Sequence, residues 1–116
     1  PGQTVALVGD SGSGKTTLLR CFNALTTPDA GRVTVDDADV ASADPVALRR
    51  RIGYVPQEGG LLPHWTVQRN VELVPRLRAM ADAKPRATAA LEWVGLDPAR
   101  FAARWPRDLS GWQRQR

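Results

Sequence analysis

Residues 9–16 read Gly-Asp-Ser-Gly-Ser-Gly-Lys-Thr, and this stretch matches the pattern G-x-x-x-x-G-K-[ST]. Residues 4–8, directly before it, form a short apolar run that is typical of a buried parallel strand. From Lys15 onward, apolar residues recur at helical spacing until residues 27–31 break the pattern. The sequence therefore predicts a strand, a glycine-rich loop and a helix, in that order.

A loop of this composition between a strand and a helix is typical of a phosphate-binding loop, or P-loop, although a Gly/Ser-rich turn can match the same pattern. Its glycines let backbone N–H groups wrap around phosphates, and the following helix adds its positive N-terminal end. We expect Lys15 to neutralise the β- and γ-phosphates of a nucleotide, and the Thr16 hydroxyl to be a ligand of Mg²⁺. The predicted nucleotide-binding residues are Gly9, Asp10, Ser11, Gly12, Ser13, Gly14, Lys15, Thr16 and Thr17. A P-loop alone leaves kinases, GTPases and ATPases open.

The composition narrows the class of protein further. The chain has 116 residues, of which 42% are hydrophobic and 24% are charged, and these values suit a single folded domain. The single Cys21 excludes an internal disulfide framework, and no apolar run approaches the roughly 18 residues of a membrane-spanning helix. The net charge is +4, but the arginines are dispersed without interleaved aromatic residues. We therefore expect no nucleic-acid partner.

The first half of the chain continues with β structure and one short helix. Residues 32–35 and 38–40 predict a hairpin about an Asp36-Asp37 turn. The pair Asp44-Pro45 predicts the start of a helix that runs through Arg51, and residues 52–55 then return to a strand.

The second half is predicted to be mainly helical, because its apolar residues follow helical spacing between proline and cap signals. Apolar residues at 67, 71, 74 and 77 predict one helix, which Pro75 kinks or ends. A second helix is opened by Pro85 and closed by Gly95, and a third is opened by Asp97-Pro98. A capping box of Ser110 with Gln113 predicts the start of a fourth.

Two further stretches carry a family resemblance. Residues 52–57, Ile-Gly-Tyr-Val-Pro-Gln, and residues 109–116, Leu-Ser-Gly-Trp-Gln-Arg-Gln-Arg, resemble the Q-loop and signature motif of the ATP-binding cassette (ABC) transporter ATPases. The resemblance implies an α/β P-loop NTPase fold, with a mostly parallel core sheet and a helical subdomain. It implies residues 1–57 as the P-loop core, 58–109 as the helical subdomain and 110–116 as the start of the signature helix. The implied cofactors are ATP and Mg²⁺.

The resemblance also implies roles for individual residues. Gln57 would lie near Mg²⁺ and the attacking water, so that Lys15 and Gln57 are the expected catalytic residues and Thr16 and Gln57 the expected metal ligands. Further nucleotide-binding residues at the signature helix would be Ser110, Gly111 and Gln113, which face the γ-phosphate held by a second ATPase subunit in a head-to-tail dimer.

Trp112 departs from the family signature, which reads L-S-G-G-Q. An indole in place of the second glycine adds bulk and removes access to positive φ. Our hypothesis is that Trp112 weakens the ATP-driven closure of the dimer.

The transported solute is suggested by softer features. Residues 60–67, 70–71, 74–75 and 104–108 look like the corresponding stretches of osmoprotectant importers for glycine betaine, choline and proline betaine, although polar amino-acid and methionine importers share parts of the pattern. In this family the Q-loop and helical subdomain contact the membrane permease subunits. The expected location is therefore cytoplasmic, peripheral on the inner face of the cell membrane. With no second histidine in the chain, His64 is expected to have a structural or docking role.

Two family features are not found within these 116 residues. There is no apolar strand ending in Asp-Glu, the Walker B pair, and no later switch histidine; residues 33–37 resemble the former only superficially and precede the Q-loop. We therefore expect a fragment truncated at both ends, marginally stable and without ATP turnover by itself. The alternatives are a soluble ABC-type ATPase acting on nucleic acid or ribosomes, a non-catalytic remnant, and an unrelated P-loop kinase or GTPase.

Overall fold

The computed structural model describes residues 2–57 and 59–116, which form two compact units that divide after Tyr54. The elements of the first unit are α1 (Lys15–Phe22), β1 (Thr34–Val35), β2 (Ala38–Asp39), a 3₁₀ turn (Val40–Ser42) and α2 (Pro45–Arg51). The elements of the second unit are α3 (Val67–Leu77), α4 (Ala83–Trp93), α5 (Pro98–Phe101), a 3₁₀ turn (Pro106–Asp108) and α6 (Gly111–Gln115). The three-part division expected from the sequence stays a prediction.

The predicted hairpin is present. Strands β1 and β2 are antiparallel, with Thr34 opposite Asp39 and Val35 opposite Ala38. The turn residues Asp36 and Asp37 both have positive φ, 49° and 63°, as a type I′ turn requires. This turn matches the right-handed twist of the strands it joins, and aspartate tolerates the left-handed region better than most residues.

Residues 4–8 and 52–55 do not form the predicted strands, and this corrects the sequence prediction for these two segments. Among the described residues, the sheet that forms is the two-stranded hairpin of β1 and β2. Residues 2–10 carry no secondary structure, and the side chains of Val5 and Val8 are 82% and 93% exposed. A parallel strand takes its hydrogen bonds from neighbouring strands, and no described backbone group bonds to residues 4–8. An apolar run alone therefore does not produce a strand here.

The second unit is built on helices α3 and α4, which pack against each other and against α5. Its apolar core consists of Val67, Leu91, Leu96, Phe101 and Leu109. The N-terminal end of α3 is fixed by the backbone, since Val67 N–H donates to Arg104 O at 2.8 Å and Gln68 N–H to Ala102 O at 2.9 Å. Within the two described ranges, no helix combines the length and apolar character needed to cross a bilayer.

The prolines and glycine of the second half have the predicted effects, with one change of boundary. Helix α3 ends two residues after Pro75. Helix α4 begins at Ala83 and not at Pro85; Pro85 is the third residue of the helix, where a missing N–H costs no intrahelical bond. Gly95 follows α4 with φ 72° and Leu96 N–H bonds back to Leu91 O at 2.9 Å, so the predicted C-terminal glycine is confirmed.

The predicted aspartate caps are confirmed at two helices. Asp44 Oδ1 accepts from the N–H of Val46 at 3.0 Å at the start of α2. Asp97 Oδ1 accepts from the N–H of Ala99 at 3.0 Å at the start of α5. Each helix then has proline at its first position, where φ is already helical.

Candidate functional site

The glycine-rich loop folds around the ammonium group of Lys15. Lys15 Nζ donates to Gly9 O at 2.7 Å, to Asp10 O at 2.6 Å and to Ser13 Oγ at 3.1 Å. The backbone reverses at Gly12 and Gly14, which have φ values of 84° and 86°. A residue with a Cβ is disfavoured in this left-handed region, so the loop depends on both glycines.

The start of α1 supplies a second positive feature beside the ammonium. Gly14 precedes the helix, provides no side-chain cap, and accepts the first helical bond from Leu18 N–H at 2.8 Å. The N–H groups of the first turn therefore have no side-chain acceptor from the cap, and the helix dipole places positive potential there. Together with Lys15, this arrangement suits an oligophosphate.

The expected metal ligands differ in where they lie. The Thr16 side chain is exposed in the first turn of α1, and its hydroxyl oxygen is of the ligand type that Mg²⁺ prefers. Gln57 is exposed and belongs to the second unit. The described residues contain no cluster of three histidine, cysteine or acidic side chains. A metal here would fit the Mg²⁺ pattern of few protein ligands, with phosphate and water oxygens completing the shell.

The three nucleotide-binding residues predicted at the signature helix lie together at its start, where a capping box joins two of them. Ser110 N–H donates to Gln113 Oε1 at 2.9 Å, and Gln113 N–H donates to Ser110 Oγ at 3.2 Å. Gly111 is the first residue of α6, and Trp112 follows with its side chain 85% exposed. Trp112 is therefore not needed for the packing of its own unit.

The loop that follows the Q-loop is held by an asparagine whose role the sequence does not reveal. Asn70 Oδ1 accepts from Leu62 N–H at 2.7 Å, and Asn70 Nδ2 donates to Leu62 O at 3.1 Å, to Trp65 O at 3.2 Å and to Thr66 O at 3.0 Å. The loop so held presents His64, which is exposed and meets the Trp65 ring edge-on at 5.9 Å. The resemblance of residues 60–67 to a stretch of the family is the signal that the sequence offers here, and it does not predict the hydrogen bonds of Asn70.

A polar groove of about 470 Å³ lies along α3 in the second unit. At its base, buried Glu72 accepts from Gln68 Nε2 at 2.9 Å and from Arg76 Nε at 2.8 Å. The Gln68 hydrogen bond first, and then the Arg76 hydrogen bond, hold the pKa of Glu72 below its usual value of 4.5. The groove is lined by Trp65, Thr66, Gln68, Arg69, Glu72, Arg76 and Lys84, so its cations outnumber its single carboxylate.

Comparisons with known proteins place this geometry in context. The family model described as ABC transporter matches residues 1–116. The choline transport ATP-binding protein OpuBA of Bacillus subtilis (strain 168) is 43% identical over 99% of this chain and 30% of its own length. The Fe(3+) ions import ATP-binding protein FbpC 2 of Rhodococcus jostii (strain RHA1) is 48% identical over the whole chain and 33% of its own length. The chain thus spans about a third of the curated relatives that it matches.

A solved structure is similar over most of the chain. It is the dimeric post-hydrolysis state of the ATP-binding cassette MJ0796 bound to ADP and Pi. The TM-score is 0.77 at 32% identity, and the match covers 90% of this chain and 49% of that one. This likeness confirms the α/β P-loop NTPase fold class predicted from the sequence.

Proposed function

The chain belongs to the ABC transporter family, and we propose that it binds ATP as part of the ATP-binding subunit of a solute importer. The observation that carries the proposal is the loop of residues 9–16 closed around the Lys15 ammonium at the start of α1. When a nucleotide binds, the ammonium exchanges its loop carbonyl partners for β- and γ-phosphate oxygens. The first-turn N–H groups of α1 then receive the same phosphates.

Magnesium is part of this proposal, with Thr16 and Gln57 as its protein ligands. Both supply neutral oxygens, which suit a hard cation that also takes phosphate and water oxygens. Bound Mg²⁺ neutralises negative charge on the nucleotide phosphates. The chain's own contribution is to position Lys15 and the loop N–H groups, and Gln57 is proposed to orient the water that attacks the γ-phosphate.

A second ATPase subunit is the first proposed partner. Ser110, Gly111 and Gln113 are proposed to face the γ-phosphate bound by the other subunit of a head-to-tail dimer. The support is the capping box that orders these residues, together with the dimeric state of the similar structure.

Membrane permease subunits are the second proposed partner, with the chain peripheral on the cytoplasmic face of the cell membrane. The similar OpuBA and FbpC 2 proteins are named as ATP-binding proteins of transport or import. The contact is proposed to involve the Q-loop residue Gln57 and the helices of the second unit, where Asn70 orders the loop that presents His64 and Trp65.

The proposed solute is a quaternary-amine osmoprotectant. The support is the set of similar proteins for choline, carnitine and osmoprotectant transport, which are 40% to 44% identical over 99% of this chain. Ferric ion is the second candidate, because the FbpC 2 protein is 48% identical over the same residues.

ATP binding is tested with the full-length protein that contains this chain. We expect Lys15→Ala to weaken Mg-ATP binding by at least about tenfold, since the variant removes the charge that the loop surrounds. Lys84→Ala is the matched control, because Lys84 is the chain's other lysine and lies in the second unit. Equal ATP affinity in wild type and Lys15→Ala, measured by titration calorimetry, would contradict the proposal.

The solute is tested in cells that carry either wild type or Lys15→Ala as their copy of the subunit. We expect uptake of labelled choline or glycine betaine to depend on Lys15. If uptake of ferric ion depended on Lys15 while choline uptake were the same with wild type and Lys15→Ala, ferric ion would be the favoured solute. Salt-dependent binding of the purified protein to RNA, without transport, would instead favour the nucleic-acid alternative.

A further inference from the structure

Helix α2 contacts the C-terminal end of helix α1 through the side chain of Arg49. Its Nε donates to Asn23 O at 3.0 Å, and its Nη2 donates to Ala24 O at 2.8 Å. These two carbonyls follow directly after the last residue of α1, Phe22. One planar guanidinium therefore binds two successive backbone oxygens at the end opposite to the phosphate-binding loop.

Some carbonyls at this end of α1 have local donors, since Leu25 N–H and Thr26 N–H donate to Arg20 O at 3.0 and 3.2 Å. The carbonyls of Asn23 and Ala24 instead accept from Arg49. The last carbonyls of a helix have no intrahelical donors, and they carry the negative end of the helix dipole. The chain leaves the helix through Ala24, whose φ of 54° lies in the left-handed region without the help of glycine. Asn23 is buried, and its Oδ1 accepts from Leu25 N–H at 3.2 Å. A cation that bonds to both carbonyls holds this exit in place.

The position of α1 in turn determines where the phosphate-binding residues lie. The helix has eight residues, so its two ends are only about 12 Å apart. Lys15 is its first residue, and the N–H groups of the loop continue into its first turn. The orientation of α1 therefore contributes to the orientation of the loop.

We propose that Arg49 is a positioning residue for nucleotide binding. It touches no phosphate; it fixes the C-terminal end of α1, and through that helix it fixes the angle at which Lys15 and the first-turn N–H groups meet the phosphates. The proposal rests on the proposed function in ATP binding, and it adds a residue of α2 that lies outside the phosphate-binding loop.

The neighbouring Arg51 provides a matched control on the same helix. Its guanidinium pairs with the Asp36 carboxylate in the hairpin turn and not with α1. Arg51→Ala therefore removes the same charge from α2 and leaves the α1 contact intact. Arg49→Lys keeps the charge but replaces the flat two-donor fork by a point charge.

The experiment measures ADP and Mg-ATP affinity in the full-length protein by titration calorimetry, at a temperature where circular dichroism shows every variant folded. We expect the dissociation constant to rise about three- to tenfold in Arg49→Ala, to be intermediate in Arg49→Lys, and to be unchanged in Arg51→Ala. We also expect the KM for ATP to rise while kcat at saturating ATP is retained, because a misdirected loop loses phosphate binding.

A merely structural role gives a different result. Arg49→Ala would then melt at a lower temperature while its folded fraction bound ADP with wild-type affinity, and this outcome would overturn the inference. Should Arg49→Ala not fold, the Arg49→Lys titration decides in the same way. If wild type itself binds no ATP, the proposed function fails; if wild type binds and both Arg49 variants bind equally well, only the Arg49 role fails.

Discussion

Trp112 separates the chain from the signature pattern of the family it belongs to. Its side chain is 85% exposed on the first turn of α6, so the indole contributes little to the stability of its own unit. Directly before it, Ser110 and Gly111 form the start of the helix that is proposed to meet a γ-phosphate. A bulky ring at this point occupies space that a second glycine would leave open.

We therefore predict that Trp112→Gly raises the ATPase rate of the full-length protein and increases ATP-dependent dimer formation, measured by phosphate release and sedimentation. The matched control is Trp93→Gly, which removes an indole that is 93% exposed on α4. Both variants lose a similar helix propensity of roughly 0.5 kcal/mol. An unchanged ATPase rate in Trp112→Gly would show that the indole does not hinder closure.

At the scale of elements, the starts of α2, α5 and α6 were predictable because their capping chemistry is local. The side chains of Asp44 and Asp97 each bond to an N–H two residues away, and the Ser110 box closes over three residues. Short-range patterns of this kind are visible in sequence. The Asp36-Asp37 turn was predictable for the same reason.

Contacts between distant residues were not predictable. Arg49 reaches carbonyls 25 and 26 residues away, and nothing in an Arg-Arg-Arg run says which arginine does so. Strand pairing also joins distant residues, and the apolar runs at residues 4–8 and 52–55 do not specify which strand each would pair with. The loop of residues 9–16 could be identified as a candidate site because its glycines and lysine are at fixed spacing along the chain, and its role in nucleotide binding stays a prediction.

Helix α3 carries a row of polar side chains whose contribution to the stability of the fold depends on pH. Glu72 accepts from Gln68 one turn before it and from Arg76 one turn after it, and Lys84 of α4 adds a further positive charge. These partners hold the pKa of Glu72 below 4.5 in the folded state. The stabilisation is therefore present in full above pH 4.5, and it is lost as the pH falls through the lower folded pKa.

We predict that Glu72→Gln lowers the free energy of unfolding by about 1 kcal/mol near neutral pH, because charge-assisted hydrogen bonds are lost. The difference from wild type should shrink as the pH falls below 4.5 and through the lower folded pKa of Glu72, because protonation removes the charge that the variant lacks. Thermal melts of both proteins across this range measure it. Glu92→Gln is the control, because it makes the same substitution at an exposed position of α4. A difference that stayed constant with pH would contradict the assignment to Glu72.

At the scale of the whole molecule, many apolar side chains of the 116-residue chain face solvent. In the first unit these include Val5, Leu7, Val8, Leu19 and Leu25, with exposed fractions from 41% to 93%. The buried residues of the described part of that unit are only Cys21, Asn23 and Leu48. A surface of this kind favours association, and an unpaired β-prone segment such as residues 4–8 offers free backbone groups for it.

The 116-residue chain taken by itself is therefore predicted to associate, with a sedimentation coefficient that rises with protein concentration. Val8→Lys should reduce this rise, because a charge on the unpaired segment opposes pairing between chains, and at 93% exposure Val8 contributes little to folding. Val46→Lys, at a half-exposed position on α2, is the control and should leave association unchanged. A monomer at every concentration would show that residues 4–8 are not the associating surface, whereas an equal effect of both variants would assign association to net charge.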